Sequence, residues 1–179
     1  MGGSHFRYAN SMREGRKAEA LFARVAQARG WHVQEANHDQ DVDEHWDFLI
    51  TRGTEAYRVD VKAMKRVNRN DPDVQDRLHW VEYRNVHGRT GWLFGKADLF
   101  AFETRSGFVI VERRALLTLV NQKVDHRERV TKPEDAVYKI YERPNRRDET
   151  TLVPVEDLKK IAKWFWPLRS SPSTPAEDE

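Results

Sequence analysis

Asp47, Asp60 and Lys62 are the residues of this chain whose types and spacing point most directly to chemistry. They lie in two short segments, Trp46-Asp-Phe-Leu-Ile50 and Tyr57-Arg-Val-Asp-Val-Lys62, joined by Arg52-Gly-Thr-Glu55. Asp60 and Lys62 are two residues apart, so on a strand both point to one face. Carboxylates so placed suit a hard cation such as Mg²⁺, which takes oxygen ligands and keeps several waters. Such an ion acidifies a bound water and neutralises charge on a phosphoryl oxygen. A lysine beside it can orient or deprotonate the attacking water or stabilise the transition state. The plainer alternative is a solvated sheet face carrying ordinary ion pairs.

The element that must position these groups is a β-hairpin. A tight turn centred on Gly53-Thr54 sets residue 52 opposite 55 and 50 opposite 57. The apolar pairs then become Ile50/Tyr57, Phe48/Val59 and Trp46/Val61, all on one face, and a one-residue slip would destroy that match. On the other face Asp47 falls opposite Asp60. Facing Cβ atoms are roughly 4.5–5.5 Å apart, and like charges at that distance repel. Lys62 supplies some compensating charge; a divalent ion would supply more.

A third carboxylate comes from the helix upstream. Ser11-Met-Arg-Glu14 has the form of a capping box and predicts a helix from Ser11 to about Arg29, ended by Gly30. Its apolar stripe is Ala18, Phe22, Val25 and Ala26. Glu19 lies about 60° from Phe22 around the helix, at the rim of that stripe. A carboxylate held there needs a partner, because burying a lone charge is costly. The metal site is one candidate; pairing with Arg16 or Lys17 is the ordinary one.

Further along, the pattern predicts strands at residues 31–36, 78–84, 92–94, 97–103, 108–111, 137–141 and 152–153, and helices at 113–123 and 155–165. Residues 37–44 form an acidic loop, and 64–77 an irregular connection that would be mobile without a ligand. A mixed sheet flanked by helices follows, in one domain spanning residues 6–168. Residues 169–179, rich in Ser, Pro and acids, read as a disordered tail.

The totals narrow the function. Lys and Arg number 31 against 29 Asp and Glu, so a net charge of +2 leaves any nucleic-acid footprint to local clustering. With no cysteine, disulfides, zinc ribbons and thiol nucleophiles are excluded, which is compatible with a cytoplasmic setting. No apolar run approaches the ~20 residues of a membrane span. The amino-terminal residues lack a signal-peptide core.

Taken in order, Gly15-Arg-Lys-Ala-Glu19-Ala-Leu-Phe22, His45-Trp-Asp47-Phe and Val59-Asp60-Val-Lys62 resemble the PD-(D/E)XK nuclease superfamily over roughly residues 11–112. The departure is Trp46 where that pattern has Pro before the Asp. The resemblance implies a restriction-endonuclease-like α/β core and hydrolysis of DNA phosphodiesters with Mg²⁺, Mn²⁺ being able to substitute. It matches Glu19, Asp47 and Asp60 to the metal-binding acids, Lys62 to the catalytic lysine, and Val61 to a position whose carbonyl can reach the metal. It further implies a compact endonuclease of phage or repair type, selective for branched or junction DNA, acting as a homodimer. For a phage-encoded protein the location would be the host cytoplasm. The alternative is a nuclease-like module that binds nucleic acid without cutting it.

Other residues carry weaker signals. His45 shares the face of Asp47 or caps a turn, and the turn role is the simpler. One of Gln34 and Glu35 must face the polar side. Asp98 reads as a structural cap. Asp39, Asp41 and Asp43 lack the Gly and terminal Glu of a calcium loop. For phosphate contact, the candidates are Lys65, Arg66 and Arg69 after the second hairpin strand, then Arg89 and Lys96 in a segment interleaved with Trp92 and Phe94. Arg143, Arg146 and Arg147 form a third basic cluster.

Overall fold

In the computed structural model, which describes residues 3–168, the chain is an α/β protein with two mixed sheets. The hairpin forms as its turn chemistry dictates. Strand β2 (Phe48–Arg52) pairs antiparallel with β3 (Glu55–Lys62) in the expected register, Phe48 against Val59, Ile50 against Tyr57 and Arg52 against Glu55. Gly53 takes the positive φ of 58° that this turn needs. Around this hairpin the six-stranded sheet adds β1 (His32–Glu35), β5 (Leu99–Glu103), β6 (Gly107–Glu112) and β10 (Ala162–Pro167), in the order β1-β2-β3-β5-β6-β10. Only β3 and β5 run parallel.

The four-stranded sheet is built from β4 (Leu78–Arg84), β7 (Asp125–Val130), β8 (Lys139–Tyr141) and β9 (Glu149–Pro154), in the order β4-β9-β8-β7. Helix α1 (Gly3–Gln27) covers one face of the larger sheet. There Phe22 stacks on Phe48 at 6.0 Å and Trp166 at 5.7 Å and meets Phe108 edge-on at 5.4 Å. The opposite face carries Phe100, Phe102, Val109 and Val111. It packs on Val81, Tyr83, Ile140 and Val153 of the smaller sheet, and on α2 (Arg113–Lys123) and α3 (Val155–Lys160).

Several elements differ from the sequence expectation. Helix α1 begins at Gly3, so Ser11 lies inside it; no proline interrupts residues 3–10, and the capping box is not used as a start. Trp92–Phe94 is a single 3₁₀ turn between Gly91 and Gly95, too short to pair as a strand. The last helix stops at Lys160. The alternation of Trp164 and Trp166, both facing α1, makes the following residues a strand against β6. Strand β7 escapes the sequence pattern because Asp125-His-Arg-Glu-Arg129 has no apolar alternation; it is an exposed sheet edge. Trp46 does not share the face of Phe48. His45 adopts φ 58° at the end of a π-helical turn (Gln40–Glu44), and the chain turns there so that Trp46 packs with Tyr83, Leu93 and Phe100 on the opposite side. Residues 64–77 are irregular but tied down. Arg66 bonds Glu14 and the carbonyls of Asp71 and Pro72, Asn68 bonds Glu134, and Asp76 accepts the Arg105 amide. No helix among the described residues is long and apolar enough to cross a membrane. The tail expected at 169–179 lies outside the described residues.

Candidate functional site

The end of the β2–β3 hairpin builds the site. The formal ladder stops at Phe48–Val59, but the Asp47 amide still donates to the Val59 carbonyl at 2.8 Å, holding Asp47 against Asp60. The Asp47 carbonyl turns away to accept from Ala36 at 2.7 Å. This leaves the Val61 amide without a strand partner, and the Asp47 carboxylate takes it at 2.6 Å. Val61 thus enters the site through its N–H, while its side chain is buried under α1.

Asp60 pairs in register with Phe100, so its side chain points towards the smaller sheet. It is only 4% exposed. Lys62 Nζ approaches Asp60 Oδ2 to 2.7 Å and lies 4.3 Å from the centre of the Trp92 ring. Trp92 in turn meets Phe100 edge-on at 4.7 Å. Oδ2 makes this short ion pair off the ideal hydrogen-bonding direction, so it is held by charge rather than by an aligned hydrogen bond. A buried carboxylate held so recovers its desolvation cost only when further groups bind it as well.

Glu19 reaches the same region from the other side of the sheet end. Together with Glu35, Asp41, Asp47 and Arg16 it lines a cleft of ≈ 370 Å³. Burial, then the charges of Asp47 and Asp41, push Glu19 up to about 7. Burial, then the charge of Asp60, push Asp47 up to about 7, against the opposing pull of Lys62 and the Val61 amide. Burial also raises Asp60, although Lys62 opposes it, and Asp47 lies close enough to share a proton with it. The carboxylates therefore form a chain, Glu19 to Asp47 to Asp60, rather than a ring. Among the described residues no three Asp, Glu or His side chains are gathered closely enough to grip an ion. The donor set itself is all oxygen, which suits Mg²⁺ or Mn²⁺, and a cation beside Asp47 and Asp60 would relieve the repulsion of two buried carboxylates.

On β1, Gln34 pairs with Leu49 and so shares the face of Asp47, while Glu35 pairs with Phe48 on the α1 side and lines the cleft from there. Asp41 is a site residue that sequence reasoning misses when the acidic loop is judged only as a calcium motif; its closeness in sequence to Asp47 is the available signal. His45 is a turn residue. Asp98 accepts the Arg58 amide at 2.8 Å and grips its guanidinium with both oxygens at 3.0 Å, fixing β3 against β5. Of the basic candidates, Arg66 is occupied within its own loop and with Glu14, and Lys96 is bound to Glu44 at 2.8 Å. Lys65, Arg69 and Arg89 are exposed, as are Arg146 and Arg147, whereas Arg143 is taken by the buried Asp148. The turn at Gly88 lies against Arg147, which groups Arg89 with the third cluster. Comparison with protein-family models, with curated proteins and with solved structures returns no match to this chain.

Proposed function

We propose that this protein is a metal-dependent nuclease of restriction-endonuclease-like core, hydrolysing DNA phosphodiester bonds at the end of the β2–β3 hairpin. The observation that carries this reading is the Asp60 carboxylate: buried, beside a second carboxylate, and ion-paired with Lys62 at 2.7 Å. Asp60 and Asp47 would hold Mg²⁺ with the Val61 carbonyl, while Glu19 would act from behind Asp47 rather than as a third ligand. Bound there, the ion would supply Lewis acidity and a more acidic water.

The chain's own residues do the rest. Lys62 brings a positive Nζ to the place where charge develops on the phosphoryl oxygens and the attacking oxygen. Trp92 and Asp60 hold that amine from two sides, so little freedom remains to be given up when the substrate arrives. The Val61 amide fixes Asp47 so that both of its oxygens are not free to swing away. A second reading, a module that binds nucleic acid without cutting it, is favoured by one observation: among the described residues no third carboxylate is gathered with Asp47 and Asp60 to grip an ion.

The test is cleavage of supercoiled, linear, single-stranded and branched DNA with Mg²⁺, Mn²⁺ or EDTA. Wild type should cut in the presence of metal. Asp60→Asn and Lys62→Met should each reduce the rate at least about 10²-fold, the scale of removing one transition-state electrostatic interaction. Binding of every substrate with no cutting by wild type would leave the module reading in place.

A further inference from the structure

Two hollows of opposite character adjoin on α1. The carboxylate cleft is walled by Arg16, Glu19, Ala20 and Ala23 of the helix. The second, of ≈ 480 Å³, is lined by Met12, Arg13, Arg16, Lys17 and Ala20 and, among the described residues, contains no carboxylate. Arg16 and Ala20 belong to both. Arg13, Arg16 and Lys17 are spaced three and four residues apart, so they project from one side of the helix as neighbours. All three are exposed, and none has an ion-pair partner among the described residues. Like charges packed together on one helix face cost free energy, and an anion lying among them would remove that cost.

Resting on the nuclease reading, we infer that this basic hollow is a phosphate subsite. It takes a phosphate of the polynucleotide strand neighbouring the one in the carboxylate cleft. Arg16, shared by both hollows, is the positioning residue that joins the two. Its guanidinium can span two phosphate oxygens in a fork, while Lys17 and Arg13 act as point and fork cations beside it. The strand thus crosses α1 before it reaches the hairpin end, and the cleft, whose four carboxylates outnumber its one arginine and would repel a phosphodiester, is flanked by the cations that retain it.

The test is binding of short labelled single-stranded and duplex oligonucleotides by the full chain in EDTA, followed by anisotropy between about 50 and 200 mM salt. The double variant Arg16→Gln/Lys17→Gln is compared with Arg114→Gln/Lys132→Gln, which removes the same charge from exposed positions elsewhere. Circular dichroism and thermal melting of each variant confirm that it is folded. The first variant should bind at least about tenfold more weakly, with a salt slope shallower by about 0.7–0.9 for each phosphate no longer neutralised; the second should bind like wild type. Equal weakening in both, no weakening in either, or no binding by wild type overturns the subsite. Cleavage with Mg²⁺, run beside it, separates the two readings. A wild type that cuts nothing, with the selective binding defect present, upholds the subsite and sinks the nuclease. Cutting unchanged in both variants, with no binding defect, upholds the nuclease and sinks the subsite.

Discussion

Asp47 bears a cost that depends on pH. Its carboxyl titrates at about 7 in the folded chain, because of burial and then the charge of Asp60, against an ordinary value of 3.8. The folded state therefore holds its proton more tightly than the unfolded state. Stability from this group is fully present below about pH 4 and is lost as the pH rises through about 7. Asp47→Asn keeps an oxygen for the Val61 amide but cannot ionise. It should melt higher than wild type above pH 7 and lose that advantage below pH 4, which a pH series of thermal melts checks. His79 has the opposite sign. It is 3% exposed, lies 5.0 Å from the Phe102 ring, and is pushed by burial down to about 4. Its contribution is present above about pH 6.5 and is lost as the pH falls towards 4, so His79→Phe should gain on wild type over that interval. For Trp92, the cation–π interaction is of the order of 0.5–2 kcal/mol. Trp92→Leu should lower the cleavage rate, and Trp92→Phe, which keeps a ring face for Nζ, should recover most of it. A purely structural Trp92 would lower the rate only as far as it lowers the melting temperature. At this scale, Asp47, Asp60, Lys62 and the helical Glu19 can be picked out from residue type and period alone. Trp92 cannot, because its ring reaches Lys62 through a turn that the chain pattern presents as a strand.

Gly91 makes that turn possible. A Cβ on this residue would stand 2.4 Å from the Glu82 carbonyl oxygen and 2.8 Å from the Tyr83 carbonyl carbon, so the turn lies directly on β4. Its amide donates to the Tyr83 carbonyl at 2.8 Å, fixing the approach. Gly91→Ala must push Trp92–Phe94 off the strand, at about 1–3 kcal/mol of overpacking. Melting temperature and cleavage should fall together, the second by lifting Trp92 away from Lys62. The elements that can be read in advance are those with a local signature: α1 from its apolar stripe, the hairpin from Gly53 and its apolar pairs, β1, β4, β5, β6, β8, β9 and α2. The others are decided by partners far off in the chain. Trp164 and Trp166 suit a helix face or a strand face equally until β6 is there to pair with them, and β7 has only charged residues to show. The alternation that would place Trp46 beside Phe48 applies only inside the ladder, and the left-handed His45 ends it one residue too early.

Across the whole molecule the larger sheet is shared by two apolar layers, one under α1 and one against the smaller sheet. The mixed character of the larger sheet is legible in the sequence. The second sheet is not: its strands β4, β8 and β9 are read from the sequence, but β7 is not, and nothing local assigns them to a sheet of their own. Phe102 is fully buried where the two sheets meet, between His79 and Trp92. Phe102→Ala should cost about 3–5 kcal/mol. Hydrogen exchange should quicken in β4 as well as in β3 and β5; a change confined to the larger sheet would show that the layers open separately. The packing of α1 on β10 has a consequence for how the chain is made. Arg29 donates to the Pro167 carbonyl at 2.8 Å across 138 residues, and Phe22 stacks on Trp166. During synthesis the first helix can meet Phe48 and Phe108 early, but its seam with Trp166 stays open until the ribosome has released β10. The apolar layer under α1 therefore closes only after translation has passed Pro167, and a nascent chain stalled short of that point presents Phe22 and Trp31 to chaperones.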